Sequence, residues 1–167
     1  MLQRPEQDRR LLTRGELEAR IKVALGGTVA EELALGEISS GATSDLSIAN
    51  RLAGQMVREY GMSRLGRTYL SGTSYEFVGG SAADVPSHSE QTAREVDLEV
   101  RDIVQSCLQQ VRTILENGLP ALRAVTDRLA AKEVLDDSEL VEILEQVGFP
   151  IVASARRNLL KPALIEV

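Results

Sequence analysis

Apolar positions recur at three- and four-residue spacing along most of the chain, the period of helices that bury one face. The first such run carries Leu17, Ile21, Val23, Ala24 and Leu25 and is preceded by Thr13-Arg14-Gly15-Glu16. That is a capping-box pattern, in which the threonine hydroxyl serves the first turn and the glutamate reaches back. Gly26-Gly27 predicts an end to this helix, because glycine accepts the left-handed conformation of helix C-termini. A second, short helix is expected from about Thr28 to Leu35, apolar through Val29, Ala30, Leu33 and Leu35 and stopped by Gly36. The two would meet at a tight αα-corner. Glu37 to Thr43 is a loop of small and polar residues. A central helix then runs from Asp45 to Tyr60 with Leu46, Ala49, Leu52, Ala53, Met56 and Val57 at helical spacing, Thr43 or Ser44 being the expected cap.

The period changes after Gly61. Thr68-Tyr69-Leu70 and Tyr75-Glu76-Phe77-Val78 are β-prone and flank the turn-prone Ser71-Gly72-Thr73-Ser74, so a hairpin is expected. A long helix follows from Ser89 to about Asn117, striped by Val96, Val100, Ile103, Val104, Leu108, Val111, Ile114 and Leu115. Pro120 suits the first turn of the next helix, which carries Leu122, Val125 and Leu129. Asp136 or Asp137 caps a last helix through Leu140, Val141, Ile143 and Leu144. The fold expected is mainly α, a helical bundle of about six helices with one small β-hairpin. The domain spans 1–149, and a tail of mixed apolar and basic residues spans 150–167.

Composition narrows the function classes. The 167 residues fit one domain, 43% of them hydrophobic, with no tryptophan, two phenylalanines and three tyrosines. The core is therefore aliphatic. A net charge of −6, with no basic run, argues against a nucleic-acid surface. Met1 to Arg10 is polar and charged, unlike a signal peptide, and no window has the roughly 18 apolar residues of a membrane span. A soluble, cytoplasmic chain is expected. Cys107 is the only cysteine, which excludes an internal disulfide and suggests a plain buried thiol.

Asp45 is the candidate for chemistry. It stands in the first turn of the central helix, behind the small-residue loop Gly41-Ala42-Thr43-Ser44. A carboxylate there either complements the positive end of the helix dipole or offers an oxygen to a metal or substrate. His88 is the only histidine, so the 167 residues contain no HExxH, and it is expected to be a solvated loop residue. Cys107 lies nineteen positions beyond it, roughly 28 Å along a continuous helix, which excludes a Cys–His dyad. No GxSxG elbow and no GxxxxGK[ST] loop is present.

Three segments carry a family resemblance: Leu25-Gly26-Gly27-Thr28-Val29-Ala30-Glu31-Glu32-Leu33, Gly36-Glu37-Ile38-Ser39-Ser40-Gly41-Ala42-Thr43-Ser44-Asp45-Leu46 and Met56-Val57-Arg58-Glu59-Tyr60-Gly61-Met62-Ser63. Their order resembles the peptidase domain of FtsH, the membrane-anchored AAA+ zinc protease. The likeness continues through Ser89-Glu90-Gln91-Thr92-Ala93-Arg94-Glu95-Val96-Asp97 and Lys132-Glu133-Val134-Leu135, covering about residues 8–146. It implies that Asp45 is the third zinc ligand beside the two histidines of HExxH; Glu31, on the short helix before the loop, is either a supporting acceptor for that site or a surface charge. It also implies a hexameric ring of such chains and protein substrates unfolded by ATP-driven domains. Ser44 stands where the family usually has asparagine. By this reading the chain is the C-terminal part of the peptidase domain, catalytically incomplete and not retaining zinc by itself. An alternative is a non-catalytic assembly or regulatory module that associates with itself or with complete FtsH-type subunits. Loss of the covering HExxH helix is expected to leave an apolar patch at Val23, Leu33 and Leu52.

Overall fold

The computed structural model describes residues 11–70 and 88–151. Among these the chain forms five α-helices and one turn of 3-10 helix, and no strand. The chain divides within its long helix into two compact units, one ending at Arg112 and the other beginning at Thr113.

The first unit opens with α1 (Arg14–Leu35). Its capping box is present: Glu16 N–H donates to Thr13 Oγ1 at 3.3 Å, and Thr13 N–H donates to Glu16 Oε2 at 2.7 Å. The helix does not stop at Gly26-Gly27. It runs 22 residues, and the two expected helices are one. The physical reason lies in the buried stripe Leu17, Ile21, Leu25, Thr28 and Val29, which keeps helical spacing across the glycines. Packing of that face outweighs the roughly 1 kcal/mol that each interior glycine costs against alanine. The left-handed glycine is Gly36 instead, with φ 78° and its N–H bonded to the Glu32 carbonyl at 2.9 Å.

A 3-10 turn, Ser40–Ala42, leads into α2 (Thr43–Arg58). α2 packs on α1 through Ala49, Ala53, Met56 and Val57, whose two alanines permit close approach. Beyond it, Gly61 (φ 59°) turns the chain back, and the Leu70 N–H donates to the Arg58 carbonyl at 2.7 Å. Thr68–Leu70 is not a strand. The rest of the expected hairpin lies outside the described residues. α3 (Glu90–Asn117) closes this core with Val96, Ile103 and Cys107, and Val100, Val104 and Leu108 pack at its edge. The stripe is as the sequence predicts, except that Glu99 is also buried and Ile114 is 53% exposed.

The second unit is a helical hairpin of α4 (Leu119–Lys132) and α5 (Asp137–Gln146). Pro120 lies in the first turn of α4. Asp136 caps α5 in a full capping box with Glu139. Lys132 at the end of α4 binds Glu139 at the start of α5 at 2.6 Å. At the other end the Phe149 ring lies against Gly118, so close that a β-carbon there would stand 2.7 Å from its Cε2. The two helices therefore run antiparallel. Five α-helices rather than six follow from the fusion at Gly26-Gly27.

Candidate functional site

The loop before α2 is held by its own short side chains. The Ser39 hydroxyl accepts from the Gly41 N–H at 3.2 Å, and the Thr43 hydroxyl donates to the Ser40 carbonyl at 2.8 Å. These bonds close the 3-10 turn and correct the expected cap. The residue preceding α2 is Ala42, already helical at φ −64° and ψ −12°, and no side chain caps the helix. Thr43 is occupied with the preceding turn, and Ser44 lies within the helix. The acidic group in the first turn of α2 is Asp45, where a negative charge complements the helix dipole.

Asp45 is half-buried and leans on α1. A β-carbon placed on Gly27 would lie 3.7 Å from Asp45 Oδ2, and beyond its own helix would meet no other group of the described residues within 4 Å. The carboxylate thus sits over bare helix backbone. Glu31 follows Gly27 by four residues, which puts it one turn along the same face of α1, and it too is half-buried. Val23, one turn before Gly27 on that face, is 81% exposed. Of the expected apolar patch only Val23 is open. Leu33 and Leu52 are half-buried, and Leu52 packs against the core.

Next to Gly27, sequence reasoning passed over Thr28. It is 5% exposed, and its hydroxyl has no hydrogen-bond partner among the described residues. A threonine inside an otherwise apolar stripe was the available signal.

The other candidates lie elsewhere. His88 is half-buried in a bend just before α3. Cys107 is buried and free, its Sγ 4.0 Å from the Glu18 carbonyl. Burial, then the negative charge of Glu18, pushes its thiol above the ordinary value, so it is a poor nucleophile. Sequence reasoning also missed an ionic cluster. Arg64 donates its N–H to Glu99 Oε2 at 3.1 Å and its Nε to Glu99 Oε1 at 2.7 Å, and its guanidinium also binds Asp102. Glu99, and then Asp102, raise the Arg64 value further. A carboxylate at position 99, inside the apolar stripe of α3, was the one sign of it. A second tie, Arg112 to Glu32 at 2.5 Å, joins α3 to α1.

Among the described residues no three His, Cys, Asp or Glu side chains gather closely enough to hold a metal ion. At α1 and α2 the half-buried carboxylates include Asp45, against Gly27, and Glu31, one helical turn along α1 from Gly27. Among the same residues no helix is long and apolar enough to cross a membrane.

Comparison with known proteins gives a consistent answer. The model of peptidase family M41 matches residues 1–143. The chain is 46% identical over 151 residues to the ATP-dependent zinc metalloprotease FtsH of Pirellula staleyi, covering 88% of this chain and 22% of that protein. It is 41% identical over 152 residues to ATP-dependent zinc metalloprotease FtsH 4 of Synechocystis, covering 89% and 24%. With FtsH 2 of Bdellovibrio bacteriovorus it shares 39% over 164 residues, covering 94% and 26%. The chain spans about a quarter of the length of these relatives. Over that span, with a helical fold among the described residues and an acidic first turn on α2 set against the Gly-Gly stretch of α1, it belongs to peptidase family M41 and matches the peptidase part of FtsH-type proteins.

Proposed function

We propose that this chain supplies the aspartate ligand of a zinc site in an ATP-dependent, FtsH-like metalloendopeptidase, and that the ligand is Asp45. The observation that carries this reading is the seat of its carboxylate over Gly27, beside the exposed face of α1. The single histidine among the 167 residues supports a reading in which this chain provides one ligand and not the whole set. On this reading the two histidines of HExxH are supplied by another polypeptide segment. A zinc ion with three protein ligands and an open position lowers the pKa of its bound water for attack on a peptide bond. This chain's part is to hold one oxygen rigidly, with Glu31 as the neighbouring acceptor that orients the ligand shell. Proteins unfolded by ATP-driven domains are the proposed substrates, and a homo-oligomeric ring is the proposed assembly. A role as a non-catalytic assembly module is the competing outcome.

The test pairs the full chain with a polypeptide carrying the HExxH helix. Zinc is measured by elemental analysis and proteolysis by casein cleavage. The chain alone should hold well under one zinc per molecule, because one carboxylate lacks the multidentate affinity of a preorganised site. The pair should hold one. Asp45→Asn should weaken zinc at least tenfold. Equal zinc in Asp45→Asn and wild type overturns the assignment, and binding of the partner without zinc or cleavage favours the assembly role.

A further inference from the structure

We infer that Arg112 is a positioning residue for the proposed zinc site, acting through Glu32 on the end of α1 and on the loop that leads to Asp45; the inference rests on the assignment of Asp45 as a zinc ligand. The buried stripe of α1 ends at Val29. From Ala30 to Gly41 no residue is buried, and the next buried side chain is Ala42, just ahead of α2. Packing therefore secures both ends of this stretch but not its middle. The stretch nevertheless carries Glu31, the neighbouring acceptor, and runs into the turn before Asp45. Among the described residues its long-range tie is one ion pair, Arg112 Nη2 to Glu32 Oε2 at 2.5 Å, across 80 positions of sequence. The Glu32 carbonyl also accepts the Gly36 N–H at 2.9 Å. One residue thus closes the helix with its backbone and fastens it to α3 with its side chain.

The geometry makes this tie hard to replace by packing. α3 also meets α1 nearer its start, with Cys107 Sγ 4.0 Å from the Glu18 carbonyl. From Glu18 to Glu32 α1 advances about 21 Å, whereas Cys107 to Arg112 spans about 8 Å of α3. The long Arg112 side chain makes up the difference. The Arg112 and Glu32 side chains are 29% and 31% exposed, so water screens the pair less than at an open surface, and the bond is charge-assisted. Without the cation, the last turns of α1 keep only helical hydrogen bonds and partly covered side chains, and they open more readily. A ligand shell binds tightly when the residues behind it are fixed before the metal arrives. Arg112 touches neither metal nor substrate on this reading. It keeps Glu31 and the approach to Asp45 in one place.

The experiment reads amide hydrogen exchange in the full chain by NMR, and zinc affinity in the full chain paired with the HExxH polypeptide. Arg112→Gln and Glu32→Gln should each speed exchange at Ala34, Leu35 and Gly36 about fivefold and leave Ile21 and Leu25 unchanged. Each should weaken zinc by about the same factor. The double variant should be no worse than either single one, because both remove the same tie. Exchanging the charges, Arg112→Glu with Glu32→Arg, should recover protection and zinc together, which a general loss of stability would not allow. Unchanged exchange in both single variants overturns the inference, as do additive effects in the double variant or a charge-exchanged chain that stays helical without recovering. Zinc lost in Asp45→Asn but kept in Arg112→Gln overturns the positioning role alone. Zinc kept in both removes the assignment of Asp45, and this inference with it.

Discussion

Replacing Gly26 by alanine tests the continuity of α1, and the sign of the result is decisive. Gly26 lies in a helix interior with an ordinary negative φ, and a β-carbon there would meet nothing of the described residues outside its own helix within 4 Å. With no clash and no contact, only backbone entropy and solvation change. Alanine should then stabilise the chain by about 1 kcal/mol, or about 2–4 °C in Tm for a chain of this size. Had Gly26-Gly27 been a left-handed corner, alanine would instead cost roughly 1–2 kcal/mol. The two readings differ by about 2–3 kcal/mol in sum, well beyond measurement error in a denaturation midpoint. Gly36→Ala is the internal control. Its φ of 78° is left-handed, so the same substitution should destabilise by about 1 kcal/mol.

The assay is urea unfolding followed by far-ultraviolet circular dichroism, comparing midpoints at unchanged slope. Gly26→Ala should raise the midpoint and Gly36→Ala lower it. A lowered midpoint for Gly26→Ala would refute a continuous helix. Gly27→Ala should stabilise the fold similarly, because 3.7 Å to Asp45 Oδ2 is ordinary contact. On the zinc reading it should nevertheless weaken zinc in the complemented assay, by placing a methyl group against the proposed ligand oxygen.

Other outcomes follow from single groups. Thr28→Val should raise stability by about 1 kcal/mol, since a buried hydroxyl without a partner costs about 1–3 kcal/mol, and a lowered midpoint would show that the hydroxyl is satisfied. Cys107 should resist a thiol reagent at pH 8 in the native chain and react at once in urea, because burial holds the thiol up; native reaction at the rate of a free thiol would contradict this. Asp136 is held below the ordinary carboxylate range by the Ser138 hydroxyl and then the Glu139 N–H, and Glu139 by Lys132 and then the Asp136 N–H. Both are depressed in the fold, so their contribution is full above about pH 4.5 and is lost as pH falls through the folded values. Corrected amide exchange in α5 should therefore accelerate below pH 4, and Asp136→Ala should remove most of that pH dependence.

Local signals were legible where a short stretch contains its own explanation. Thr13 with Glu16, the Asp136 cap, Pro120 in a first turn and the α2 stripe through Ala49, Ala53, Met56 and Val57 all depend on neighbours within four residues. The errors share another origin. Gly26-Gly27 has the composition of a helix end, but Leu25, Thr28 and Val29 are buried by tertiary packing that the local pattern does not weigh. Thr43 has the composition of a cap, but a 3-10 turn ahead of it claims its hydroxyl. Arg64 and Glu99 are 35 positions apart, a separation at which no periodicity speaks.

Asp45 shows the same division. Its place in the first turn of α2 was readable from spacing, while its partner surface was not, because that surface is backbone on α1. Two adjacent glycines inside a helix cost about 2 kcal/mol against alanine, and Gly26 recovers none of it through contact. Among the described residues Gly27 has one neighbour within reach outside its own helix, the Asp45 carboxylate. Retaining a destabilising residue where the only neighbour is the proposed ligand fits a face that has to stay bare. Val23, exposed one turn before, and Glu31, half-buried one turn after, extend that face along α1. On the zinc reading the glycines are part of the site rather than punctuation in the fold. That reading gives the reduced helix stability a purpose: it leaves room for the proposed metal beside the aspartate.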